Sequence, residues 1–198
     1  MTFFRVAVVF ELSLAVLAFL IGWPVGIDPW SAFEPNLRGL VIGTIATGPL
    51  VLLLLICDRD TFAPMRRIRE LLEQFILPSL RGRPIWQLAV MAASAGIGEE
   101  TLFRGLLQDG LRNAIGPEPA LVITSFVFGL LHALTPTYAI LATGISLYLG
   151  VIYDQAGNLM VPVVAHGLYD LIALIYFLQT SRDDTIGQSE SSPEEPPA

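Results

Sequence analysis

The chain has only two histidines, His132 and His166, and both lie inside apolar runs. A third polar interruption is Glu99-Glu100-Thr101-Leu102-Phe103-Arg104. Ionisable groups at bilayer depth cost at least ~2.5–3.5 kcal/mol each, and those that persist face a bundle interior or a water-filled cavity. Adjacent helical residues point about 100° apart, so the two glutamates cannot share a task. Glu100 and Arg104 are four apart and can pair along one face, which leaves Glu99 as the freer carboxylate. His166 and Asp170 are also one turn apart on one face. Singly, each has an ordinary reading: a Glu–Arg pair is often structural glue, and a histidine in an apolar helix often bonds a neighbouring helix. Together, an unpaired acid and two imidazoles supply the parts of a hydrolytic site. A carboxylate can activate water as general base, and fixed donors can hold a developing oxyanion, each worth about 2.7–4 kcal/mol.

The rest of the sequence is membrane-like. Of 198 residues, 54% are hydrophobic and 15% charged, against about 25% charged in a soluble domain. Mean hydropathy is +0.64. The expected fold is all-α, a polytopic bundle of about six transmembrane helices plus a cytoplasmic interfacial amphipathic helix. A spanning helix needs about 20 mostly apolar residues. Candidate spans are Val6 to Gly22, Gly39 to Cys57 with a kink at Gly48-Pro49, Ile85 to Gly98, two spans in Pro119 to Tyr153 divided at Thr135-Pro136, and Leu159 to Thr180. Glu11 interrupts the first span. With only Arg5 before it and no small-residue cleavage site, that segment reads as a span rather than a cleaved signal.

Residues 58–84 differ in kind. They carry Arg59, Arg66, Arg67, Arg69, Arg81 and Arg83, six of the chain's 11 basic residues, all arginine. Met65, Ile68, Leu72, Phe75 and Ile76 recur at helical spacing, the pattern of a helix lying on a membrane surface. The arginine excess puts this segment in the cytoplasm. The expected units are therefore an N-terminal hairpin (1–57), an arginine-rich interfacial segment (58–84), a helical core (85–180) and a disordered acidic tail (181–198). Most of the net charge of −7 comes from that tail. Cys57, the one cysteine, reads as a buried thiol. No basic stripe with interleaved aromatics suggests nucleic acid. The expected partners are the lipid bilayer and a peptide or protein within it.

At ~1.5 Å of rise per residue, Glu99 lies about 21 Å in from the arginine side, and His132 and His166 about 18 Å and 10 Å in from the other. In a ~30 Å core these depths fall in one band. They leave open which side the site faces, since a break at Gly96–Gly98 would change the count.

The order Glu99-Glu100…Arg104, Phe128…His132, His166…Asp170 resembles the CPBP family, the CAAX prenyl protease and bacteriocin-processing (Abi-type) intramembrane glutamic endopeptidases. Phe103-Arg104-Gly105-Leu106-Leu107-Gln108 and Phe128-Gly129 add context, and the resemblance covers roughly Trp86 to Phe177. It implies a metal-independent peptidase without a cofactor in a multi-pass cell membrane protein, of prokaryotic plasma-membrane type. It also implies that Glu99 activates water with help from His132, while His166 and Asp170 stabilise the oxyanion. The family position at Asp170 is often asparagine. An ionised carboxylate cannot donate to an oxyanion, so here Asp170 is expected to orient His166. Glu100 and Arg104 are expected to form a structural ion pair.

Other readings compete. Glu99, His132 and His166 could ligate a catalytic zinc, although no His-Glu-x-x-His spacing is present. The chain could be a non-catalytic scaffold or a bacteriocin immunity protein. A proton-coupled transporter fits less well, because no second symmetric half exists.

Overall fold

The computed structural model describes residues 3–58 and 63–190, with side chains at 3–58 and 64–181. Among these residues every regular element is helical. The helices are α1 (Phe3–Gly22), α2 (Leu37–Cys57), α3 (Ala63–Leu71), α4 (Leu77–Leu80), α5 (Ile85–Glu100), α6 (Asp109–Ile115), α7 (Pro117–Leu131), α8 (Pro136–Ala156) and α9 (Met160–Glu190). Wide π-type turns at Leu72–Ile76 and Thr101–Gln108 join α3 to α4 and α5 to α6. Four helices are long and apolar enough to cross a bilayer: Phe3–Val25, Leu37–Cys57, Pro136–Ala156 and Met160–Ser181. The continuous α5–α6 rod and the shorter apolar α7 complete the bundle. The protein is a multi-pass membrane helix bundle.

Side chains sort as lipid demands. Val9, Phe10, Leu20, Ile45, Leu52 and Ile56 are exposed, whereas Ala15, Ala18, Gly39, Gly43 and Ala46 are buried. Large apolar groups lose nothing by facing lipid tails, and small residues let helices approach closely. Helix α9 packs against both α2 and α5, α1 against α5, and α7 against α8. Gly96 marks the close approach of α5 to α9. A Cβ there would lie 2.7 Å from the Val163 carbonyl and 3.0 Å from the Gly167 nitrogen. Gly98 meets the Glu11 backbone in the same way across α1. These glycines are therefore contact points, and α5 runs through them unbroken. The break at Gly96–Gly98 that would have changed the depth count does not occur. Helix α2 likewise continues through Pro49.

Two boundaries depart from expectation. Thr135 caps α8, its hydroxyl accepting the Tyr138 amide at 3.1 Å, and the residue before a proline resists helical geometry. His132 therefore leaves α7 and sits in the turn. Helix α9 runs to Glu190, past the expected end at Thr180. The expected disordered tail falls partly in 191–198, and Arg59 of the interfacial segment in 59–62, both outside the described residues. Within that segment Ile68, Leu77 and Leu80 are buried while Phe75 stays 64% exposed. The wide turn at Leu72–Ile76 shifts the helical phase that the sequence spacing assumed.

One end of the bundle is covered. The α1–α2 connection folds inward, and the Trp30 indole donates to the Thr101 hydroxyl at 2.9 Å. Asn158 pins the same loop, accepting the Glu34 amide at 3.1 Å and donating to the Glu34 carbonyl at 2.9 Å.

Candidate active site

The polar residues singled out in the sequence come together around Glu99. Helix α5 presents Glu99 and Glu100 in its last turn, both buried. The end of α7 delivers His132, and the first turns of α9 deliver His166 and Asp170. Glu99 Oε1 lies 3.6 Å from His132 Nε2, and Glu99 Oε2 lies 3.8 Å from His166 Nε2. Three separate helices meet at one carboxylate. Glu99 Oε2 is buried with no hydrogen-bond partner.

Each imidazole is fixed through its other nitrogen. His132 Nδ1 is 2.8 Å from the Phe128 carbonyl. A carbonyl only accepts, so Nδ1 carries a proton and Nε2 is the nitrogen that faces Glu99. His166 Nδ1 is 2.7 Å from Glu100 Oε1, so this nitrogen donates as well. Asp170 Oδ2 lies 3.5 Å from His166 Nε2, within ion-pair distance but without a hydrogen bond. Glu100 thus holds the ring at Nδ1, while Asp170, expected from the sequence to orient it, stands on the Nε2 side. Adjacent glutamates on a helix diverge, which lets Glu99 face both Nε2 atoms and Glu100 reach the back of one imidazole.

Glu100 also meets Arg104 Nη1 at 3.1 Å, both side chains fully buried. Arg104 Nη2 donates to Ser146, at 2.7 Å to the carbonyl and 2.9 Å to the hydroxyl. Its guanidinium stands over the Phe128 ring, 5.5 Å from the centroid. Phe128 stacks on His132 with centroids 4.2 Å apart and planes at 15°, and meets His166 edge-on at 6.3 Å. One phenyl ring therefore spaces both imidazoles and the arginine.

Two features were absent from the sequence reading. Glu11 of α1 is held at the same depth by the Gly98 contact, with its Oε2 buried and unpartnered. The sequence marked it only as an oddity in a span. The second is a cavity of about 380 Å³ that extends from Glu11, Asp170 and Tyr138 to Asp58, Met65, Ile68 and Arg69. Of the residues singled out in the sequence, Asp170 lines this cavity, and the cavity reaches the arginine-rich segment at Met65, Ile68 and Arg69. Among the described residues, no group of three or more His, Cys, Asp or Glu side chains is gathered as a metal-holding set.

Fold and site together define a membrane bundle with a buried acid flanked by two imidazoles. Residues 81–172 match the Rce1-like family, described as type II CAAX prenyl endopeptidase Rce1-like. The CPBP resemblance carried by the motifs is thereby shown over this segment. Comparison with curated proteins and with solved structures gave no match.

Proposed function

We propose that the protein is an intramembrane glutamic endopeptidase that hydrolyses a peptide delivered through the membrane. The observation that carries this reading is the Glu99 carboxylate between two imidazole Nε2 atoms at 3.6 and 3.8 Å. These separations exceed a direct hydrogen bond and suit a bridging water. Glu99 and the His132 lone pair both accept, and water has two protons to donate.

In the reaction, Glu99 takes one proton from this water while its oxygen attacks the peptide carbonyl carbon. His166 carries a proton on Nδ1 held by Glu100. Its doubly protonated form also presents Nε2–H to the oxyanion. Collapse of the tetrahedral adduct breaks the C–N bond, and the proton held by Glu99 passes to the leaving amine. Asp170 flanks Nε2 and favours that donor form by its charge. The match to a CAAX prenyl endopeptidase family supports a lipid-modified C-terminus as substrate, and a cell membrane as the location.

The test is Glu99→Gln in proteoliposomes with internally quenched peptides, prenylated and not. Loss of a general base should cost about 10²–10⁴-fold in kcat, with thermal unfolding unchanged. A scaffold or immunity protein would keep its function in this variant. A zinc hydrolase would lose activity to 1,10-phenanthroline, whereas the glutamic mechanism predicts insensitivity.

A further inference from the structure

We propose that Glu11 is the specificity-determining group of the cavity, its carboxylate receiving the lysine or arginine side chain of a bound peptide. The proposal rests on the hydrolytic reading for the peptide's fate, but not for its binding. Charge complementarity supports it. The cavity wall carries three carboxylates: Glu11, Asp58 and Asp170. Asp58 is matched by Arg69 at 3.1 Å and by the Tyr176 hydroxyl at 2.6 Å. Asp170 faces His166 at 3.5 Å. Glu11 alone of the three has no hydrogen-bond or ion-pair partner, and its Oε2 is buried.

A half-buried carboxylate with one buried, unpartnered oxygen is costly, and the Gly98 contact does not call for it, since that contact uses only the Glu11 backbone. The groups whose charge acts on Glu11 are Glu99, Asp170, His132 and His166. It shares the cavity wall with Asp170. Most of the remaining wall is apolar, including Leu53, Ile68, Leu141, Ile145 and Phe177. The complementary ligand is an apolar peptide segment with one cation at its deep end. A substrate with an acidic residue there would meet Glu11 and Asp170 with like charge.

The experiment uses fluorescent decapeptides of leucine and alanine carrying one lysine, norleucine or glutamate, stepped through each position. Binding is read by anisotropy on the full-length protein carrying Glu99→Gln, with and without Glu11→Gln or Glu11→Asp. Cleavage of quenched versions is read on the protein with Glu99 intact, and thermal unfolding confirms that each variant is folded. The best lysine peptide should bind about ten-fold tighter than its norleucine counterpart, as a charge-assisted hydrogen bond warrants. Glu11→Gln should abolish that preference and Glu11→Asp keep part of it, with the change in cleavage confined to KM. A lysine preference that survives Glu11→Gln, or none in the parent, overturns the proposal. Lysine-selective binding that depends on Glu11, without cleavage of any peptide, would uphold cation recognition and take down the hydrolytic reading.

Discussion

Each polar side chain in the site is defined by what occupies its second valence. His132 and His166 are both tied at Nδ1, one by a carbonyl and one by Glu100, so both offer Nε2 to Glu99. Glu100 therefore does two jobs, positioning His166 and balancing Arg104. Removing Arg104 would leave Glu100 as a buried acid with only an imidazole beside it. Arg104→Met should destabilise the fold by about 3–5 kcal/mol, measured by thermal or denaturant unfolding in detergent. The conservative Arg104→Lys should not restore it, because a single ammonium cannot bond Glu100 and both Ser146 oxygens in the guanidinium's fork geometry.

The sequence made the identities of these residues legible, because polar groups stand out against an apolar chain. It did not make their partners legible. Spacing of four pairs His166 with Asp170 as readily as Glu100 with Arg104. The hydrogen bond from His166 to Glu100 spans 66 positions, and no local periodicity encodes it. Glu11 escaped for the same reason: it belongs to the site only because α1 packs on α5.

Among the elements, close approach is set by small residues and interruption by proline. The spans were readable from hydropathy, and the break before Pro136 from its sequence. The wide turns were not, since no residue type marks them. Thr101–Gln108 is such a stretch and directly follows the two acids. Wide turns of this kind recur at functional sites. The glycines were misjudged in sequence because a helix interior glycine reads as a weakness, whereas here Gly96 is a contact surface. Gly96→Val places branched carbons against the Val163 carbonyl and Gly167 backbone. It should push α9 from α5 and displace His166 from Glu100. The expected result is a marked fall in unfolding temperature together with loss of hydrolysis. Ser94→Ala, two residues earlier on α5, serves as the control. Retained activity in Gly96→Val would show that this crossing does not position the site.

At the scale of the molecule, the cavity reaches the arginine-rich end of the bundle. Cys57 lines the cavity, on the arginine-rich side of the bundle. A membrane-impermeant maleimide supplied from that side should modify it and raise KM, because the adduct occupies the substrate's path. Reagent on the opposite side should leave it untouched. Cys57→Ala should retain activity and lose the sensitivity. Modification from the far side alone would reverse the assigned entrance.

The inward-folded loop closing the other end has an electrical consequence. A cavity that runs from the arginine-rich segment to Glu11 and Asp170 would thin the barrier when wet, so that the voltage would drop over the remainder. That remainder is built from Trp30, which stacks on Phe33 at 5.2 Å and bonds Thr101, with Asn158 as its clasp. On the proposed hydrolytic reading, ionised side chains along the cavity would then sit near the potential of the arginine-rich compartment, and proton transfer there need not become a leak.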